Sequence, residues 1–446
     1  MNSSEYIDQQ RREYSLYVLT SRAIPYASDG LKAAARRVLW TAKDGKKYKS
    51  ATLGGATMPI HPHQSPEGTI DTLAAPYGNN VPLLKGIGAF GTLLNPTAYG
   101  ASRYTSVGVS DFTKDVMFRD IEIIPLQDNY DGTLQEPQHF LPLVPIVLLN
   151  SQEGIAVGFS TNILPRDLTD IIKHQIAVLK GTGKSIRVPP PALTPINQRA
   201  IGTVEDRQGN TKWVFRGEFE KVNATTVRIT NLPYGILHEK YVAKLANLEE
   251  AGTITEIQDK SKDKYNIIVT FKKGTLTGKS EEDIIKLLSL ETNVSENMNV
   301  IDFDGQRVWS TSYKELLIQF TEWRLGWYKP RYERLAELLT FDIQRYKDII
   351  LAIKKGVGGY AQKVKNRAEL KDYLTEIGIV HVDYIADLSV YRFTVEEKEK
   401  TMKKIKEAEA QLKEYQKLIK SEAARKEIYI EELQEVLNNY KKGKYK

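Results

Sequence analysis

From Tyr313 onward the apolar residues recur at alternating steps of four and three. Leu316, Phe320, Trp323 and Trp327 follow this spacing, and beyond Pro330 so do Leu339, Ile343, Tyr346, Ile350 and Ile353. Such spacing lays one apolar stripe along a helix and is incompatible with the two-residue period of a strand. Gly356, Gly358 and Gly359 end the run. Thr394-Val-Glu-Glu397 then has the pattern of a capping-box start, and Ile405, Ala408, Leu412, Tyr415 and Ile419 step by three and four again. Two long stripes of matching period, separated by about 37 residues, predict an antiparallel coiled coil capped by a small helical globule. A plain helical bundle satisfies the same spacing.

A chain of 446 residues exceeds one ordinary core, and roughly two to four domains are expected. In the first 165 residues, short helical stretches alternate with Gly-rich turns. Gln64-Ser65-Pro66-Glu67 forms a helix start: Ser65 can cap, Pro66 suits the first helical position and Glu67 suits the dipole. A helix over Pro66–Ala75 therefore follows directly on His61-Pro62-His63. Residues 166–312 contain strand-like runs at Thr225–Ile229 and Asn266–Phe271 and a helix near Glu282–Leu288, the pattern of a separate α/β module.

No apolar run approaches the ~18 residues of a membrane span, and no basic-then-apolar leader opens the chain. The absence of cysteine excludes disulfides, thiolate zinc sites and cysteine nucleophiles, and a cytoplasmic protein is expected. The net charge is only +7, but seven basic residues (Lys32, Arg36, Arg37, Lys43, Lys46, Lys47, Lys49) lie against one acid, Asp44, between positions 32 and 49. Such a cluster suits a polyanion, whose counterions are released on binding. A solvated helix face explains it equally well.

Several motifs lack the context their chemistry requires. Gly86-Ile-Gly-Ala-Phe-Gly91 matches a dinucleotide fingerprint, but no helix and no acid follow where they should. Its glycines are better explained by tight turns or a close backbone approach. Gly-Lys-Ser at 183–185 and 278–280 lacks the upstream glycine of a phosphate loop, since Val178 and Lys273 occupy that position. Asp302-Phe-Asp304-Gly305 fits a hairpin turn as well as a metal site. Neither it nor Asp128-Asn-Tyr-Asp131-Gly132 completes a calcium loop, because Thr311 and Gln138 stand where a glutamate is needed.

Arg103-Tyr104 is different. A phenol, with a pKa near 10, attacks phosphorus only when its proton is removed and the developing charge is stabilised. Arg103 suits the second task, because guanidinium clamps phosphate in bidentate fashion. Arg22 supplies another permanent charge, and His61 and His63 are two of only six histidines. Exchange of a phosphodiester onto tyrosine conserves the bond energy of the strand, so a break can be reversed without fuel.

These residues carry a resemblance to a known family. Arg22-Ala-Ile-Pro25, Asp29-Gly-Leu-Lys32 with Arg36-Arg37, His61-Pro-His63, the glycines ending at Phe90-Gly91 and Arg103-Tyr104-Thr105 occur in the order found in type IIA DNA topoisomerases. The chain resembles their DNA breakage–reunion subunits (gyrase A, topoisomerase IV A and the phage medium subunit). Asp128-Asn-Tyr-Asp-Gly132, Leu143-Val-Pro-Ile-Val-Leu-Leu-Asn150, Gly154-Ile-Ala-Val-Gly158, Thr161-Asn-Ile-Leu-Pro165 and Ile229-Thr-Asn-Leu-Pro233 extend the match along the chain.

The resemblance implies an α+β multidomain fold: an N-terminal arm and winged-helix domain over 1–165, an α/β tower over 166–312, and a coiled coil with a helical exit gate (C-gate) over 313–446. It makes Tyr104 the nucleophile of a 5′-phosphotyrosyl link, with Arg103 and Arg22 stabilising the scissile phosphate. His63 becomes a proton shuttle or phosphate ligand, with His61 beside it. Lys32, Arg36 and Arg37 become DNA-backbone contacts, Ser65 opens the helix in the major groove, and Ile155 becomes the wedge entering a base step. A buried strand residue is the alternative for Ile155, which alternates with Val157.

Double-stranded DNA, a homodimer closed through the exit gate, and a separate ATPase–Toprim subunit in an A2B2 assembly are the implied partners. That subunit would bind both Mg²⁺ and ATP. The sequence departs from the family at Gln64, where glycine is usual, and at Pro66-Glu67-Gly68, with one extra residue before Asp71. The layout resembles the phage members most, for which no DNA-wrapping propeller is expected, with a truncated bacterial subunit as the alternative. A non-catalytic DNA-bending protein on the same fold is the alternative, although bending has no need of the Arg103-Tyr104 pair. A tyrosine recombinase is disfavoured by the position of Tyr104 far from the C-terminus.

Overall fold

The computed structural model describes residues 3–62 and 66–445. Two compact units are present, one of Met1–Arg324 with Ile430–Lys446 and one of Leu325–Tyr429. No helix among the described residues is long and apolar enough to cross a membrane.

The first unit begins with α1 (Ser3–Val18), which runs into a π-helical turn over Leu19–Ala23. Helices α2 (Ala33–Thr41), α3 (Ser50–Thr57) and α4 (Glu67–Ala74) pack on one another. They alternate in sequence with an antiparallel sheet of order β1 (Tyr48–Lys49), β3 (Ser106–Val109), β2 (Leu84–Ile87). Leu39, Leu53, Ile70, Leu84 and Val107 of these elements are fully buried. The helix expected after His63 is present, one residue late: Pro66 is its N-cap and Glu67 its first residue. Ser65 and His63 lie outside the described residues. The 86–91 glycines make the tight turns and close approach foreseen for them. Gly88 and Gly91 have φ of +113° and +91°, and a Cβ on Gly86 would fall 2.4 Å from the Phe90 ring.

The strands expected at 225–229 and 266–271 form Thr226–Asn231 and Ile267–Phe271, paired antiparallel with Thr226 opposite Thr270. Glu281–Leu288 is helical, opened by a complete capping box between Ser280 and Asp283. Asp302–Gly305 and Asp128–Gly132 are hairpin turns, with Gly305 and Gly132 at φ of +73° and +72°. Residues 166–312 lie in the same unit as the first 165 residues, with a buried cluster of their own around Val227, Ile229, Ile267, Val269 and Leu288. The buried Arg166 guanidinium holds Glu296 at 2.5 and 2.7 Å. Within the same seam, the Asn80 amide donates to the carbonyls of Leu149, Arg166 and Ala192 at 2.8–3.0 Å.

In the second unit, helices Tyr328–Lys354 and Val395–Lys420 run antiparallel. Tyr332 meets Tyr415 with ring centroids 5.6 Å apart, and Lys347 pairs with Glu409 at 3.1 Å, so one partner number rises as the other falls. The predicted stripes face inward: Ile343 and Ala408 are buried, and Leu339, Tyr346, Ile405, Leu412, Tyr415 and Ile419 are half-buried. The cap is helical as expected, built around Ile349, Ala352, Val357, Leu374, Ile379 and Ile385. Thr394 accepts the Glu397 amide, but the Glu397 carboxylate turns to Arg392 at 2.8 Å, leaving the capping box half made.

The stripe that starts at Tyr313 is carried by two successive helices, Tyr313–Gly326 and Tyr328–Lys354. The break is at Trp327, and Pro330 sits in the first turn of the second helix, where a missing N–H has no partner to lose. The second compact unit begins at Leu325, near the end of the helix Tyr313–Gly326, whose residues up to Arg324 belong to the first unit. Leu316, Leu317 and Phe320 of that helix are fully buried, and the Arg324 guanidinium bonds Asp120 and, at 3.1 Å, the Pro142 carbonyl.

Candidate active site

Tyr104 lies on the turn that leads into β3 and is 71% exposed. Its backbone is held by the hydrogen bonds of the turn, while its side chain faces outward. The Tyr104 amide donates to the Ala101 carbonyl at 2.8 Å. The first amides of α3, on Ser50 and Ala51, donate at 3.2 Å to the carbonyls of Thr105 and Ser102. A helix N-terminus always has such amides to satisfy, and here the tyrosine turn satisfies them. Inside that clasp the buried Thr105 hydroxyl donates to Ser50 Oγ at 2.7 Å. Gly88 and Gly100 pass within 3.5 and 3.2 Å of Thr105 Cγ2, measured from an added Cβ, which gives the glycines a role in seating the turn. The exposed Arg103 guanidinium lies 4.6 Å from the Tyr104 ring centroid, close enough for a cation–π contact. Lys49 reaches the same turn, its Nζ donating to the Tyr104 carbonyl at 3.3 Å.

The first part of the basic segment, Lys32 to Arg37, is organised inward, whereas Lys43, Lys46, Lys47 and Lys49 are exposed. Arg36, 5% exposed, binds the fully buried Asp29 through Nε at 2.6 Å and a second nitrogen at 3.0 Å. Arg37 binds Glu136 in the same two-point manner at 2.5 and 3.1 Å. Lys43 sits 3.0 Å from the Trp40 ring centroid, and its half-dry position lowers its pKa. Lys46 pairs with Asp44 at 3.1 Å. Lys32 donates to the Glu153 carbonyl at 2.6 Å. Arg36 and Arg37, expected along a DNA backbone, thus face acids of the fold. Their guanidinium groups are held by carboxylates within the fold, because burying an arginine requires a bonded partner. Sequence inspection passed over two of these acceptors, Glu136 and the Glu153 carbonyl. Lys49 was visible only as one member of the charge run.

Ile155 ends the first strand of the Gln152–Ile155 and Ser160–Ile163 hairpin. It is 88% exposed, so it is no buried strand residue, and Val157 and Phe159 beside it are exposed as well. Arg22, Lys32, Thr69, Thr72, Asn150 and Glu153 line a cleft of about 600 Å³ between α2, α4 and the base of this hairpin. Tyr104 is not among its lining residues. Within one chain the expected site thus divides into the Arg103–Tyr104 turn and the Arg22 cleft. His61 is half-buried, 3.4 Å from the Tyr17 hydroxyl and edge-on to Tyr130 at 5.9 Å.

Among solved structures, the fold is similar to the DNA-binding, cleavage and re-ligation domain of Plasmodium falciparum topoisomerase II. The TM-score is 0.84 at 21% identity, covering 99% of this chain and 65% of that one. Over residues 22–434 the sequence matches the model of the DNA gyrase/topoisomerase IV A subunits, and the chain belongs to that family, the DNA breakage–reunion subunits of type II topoisomerases. It is 28% identical to the DNA topoisomerase medium subunit of Enterobacteria phage T4, a match covering 90% of this chain and 92% of that protein. It is 27% identical to the DNA gyrase A protein of Streptomyces coelicolor and 25% identical to the DNA topoisomerase 4 A protein of Pseudomonas aeruginosa. In both matches 96% of this chain is covered, against 54% and 60% of those longer proteins.

Proposed function

We propose that this chain cleaves and rejoins double-stranded DNA through Tyr104. The phenolic oxygen attacks the scissile phosphorus, the bond to the 3′ oxygen breaks and that oxygen leaves as a hydroxyl, so the 5′ phosphate stays on the tyrosine. Reversal restores the strand. The observation that carries this reading is the solvent-facing Tyr104 on a turn clamped by α3, with Arg103 at its ring. Arg103 and Arg22 stabilise the charge on phosphorus, which such groups do most effectively when their positions are preset. Arg22 lies in a different cleft of the same chain, so a phosphate joining both needs DNA spanning the two or a second copy of the chain.

In this reading α2–α4 with β1–β3 act as a winged-helix module with α4 in the major groove. Residues 166–312 act as the tower, and the helical cap closes a homodimer as the exit gate. Among the described residues no group of three or more histidines and acids is placed to hold a metal. By resemblance to the type IIA breakage–reunion subunits, Mg²⁺ and ATP are assigned to a separate ATPase–Toprim subunit in an A2B2 assembly, and strand passage becomes ATP-dependent through it.

The test mixes the chain with such a subunit, supercoiled plasmid, Mg²⁺ and ATP, and then denatures with detergent. Linear plasmid carrying this polypeptide at its 5′ ends is the expected product, and Tyr104→Phe should give none while still binding DNA. An adduct that survives Tyr104→Phe would assign the nucleophile elsewhere. Binding and bending without any adduct would favour the architectural alternative.

A further inference from the structure

We propose that Lys32 is a positioning residue for the apolar tip of the 152–163 hairpin, rather than a phosphate ligand. The inference rests on the reading of Ile155 as a wedge in DNA. A wedge that parts a base step does work against stacking, and a hairpin free to recoil would relax instead. The hairpin is mounted at several points. Gly154 lies so close to the π-helical turn after α1 that a Cβ would fall 1.9 Å from the Ala23 carbonyl oxygen. Ala156 packs with Leu19, Ile24 and Ile301. On the second strand, the Asn297 and Asn299 amides donate to the Ser160 carbonyl at 2.7 and 2.6 Å. Lys32 completes the mount at the root, its ammonium on the Glu153 carbonyl two residues before Ile155.

Lys32 is itself presented rigidly. Gly30, at φ +68°, leaves no room for a Cβ, which would meet the Val147 amide nitrogen at 2.2 Å. Asp29 accepts from the amides of Leu31 and Phe140, both at 3.1 Å, while bonded to Arg36. Arg36 in turn stacks on Tyr26, 4.3 Å from its centroid. The Asp29-Gly-Leu-Lys32 motif is thus a bracket with its free end on the hairpin. Burial lowers the Lys32 pKa, opposed by the Glu153 carboxylate, as fits an ammonium facing protein more than solvent.

The test uses the full chain with the ATPase–Toprim subunit and Mg²⁺, and a duplex labelled at both ends for energy transfer. Lys32→Met and Ile155→Ala should each lower the bent fraction, and the double variant should be no worse than Ile155→Ala alone. Loss of one charge-assisted bond corresponds to about tenfold for Lys32→Met. The slope of log affinity against log salt should match that of the unsubstituted chain. Additive losses, with a slope shallower by about 0.9, would make Lys32 a phosphate ligand and overturn the proposal. In the free chain, hydrogen exchange should quicken in the hairpin with Lys32→Met, or with Lys32→Gln if the first variant folds poorly. Unchanged hairpin protection would also overturn it. Detergent-trapped adduct is scored in the same samples: its absence from the unsubstituted chain would defeat the cleavage reading, whereas its presence with additive bending losses would defeat only the role of Lys32.

Discussion

The Tyr104 turn and the 26–37 segment are made of similar residues, arginine beside a tyrosine ring and a glycine, and their fates are opposite. Arg103 lies in the open over an exposed tyrosine, whereas Arg36 lies over half-buried Tyr26 with its guanidinium locked on Asp29. The difference is set by what each can bond to. A guanidinium leaves water only if its hydrogen bonds are remade, and Asp29 remakes them for Arg36. Cation density in a sequence therefore shows neither which charges remain for a phosphate nor which hold the scaffold.

Substitutions can break or sharpen this contrast. The largest effect belongs to Tyr104→Phe, which should abolish the detergent-trapped adduct while melting like the unsubstituted chain. Arg103→Ala should slow cleavage by about 10²–10³-fold, again without loss of stability, and a near-normal rate would remove Arg103 from charge stabilisation. Arg36→Met should do the reverse. It strands a buried carboxylate and should cost about 3–5 kcal/mol in denaturant melts, lowering activity only in proportion to the folded fraction. A mild phenotype would return Arg36 to the DNA-facing group.

The smallest effect is expected on α4, where burial and the neighbouring Glu67 raise the pKa of Asp71. A raised carboxyl pKa means that the folded state binds the proton more tightly. Stability from this group is therefore full below the ordinary carboxylate value and is lost as pH rises through the raised one. Asp71→Asn should flatten that decline in melts across mildly acidic pH, and an unchanged slope would remove Asp71 as its source.

The period of three and four made the long helices legible, because it reports one buried face over many turns. Turn chemistry likewise marked α4 and the hairpin at Gly305. The inward cations were not legible, since their acceptors are remote: Glu136 is 99 residues from Arg37, and Glu153 is 121 from Lys32. Alternation of Ile155 with Val157 left two faces possible. The tight seat of Gly154 on Ala23 decides between them, and a sequence pattern carries no trace of it. His63 and Ser65 lie outside the described residues.

The clasp between α3 and the tyrosine turn bears on the fate of a cut strand. Should the severed end hang from Tyr104, its mooring is one short side chain on an immobile post, because pulling the loop outward would strip two amides of their acceptors. Slack in the tether is then confined to rotation about a few single bonds, and the loose end stays within reach of its former neighbour until the nick is sealed.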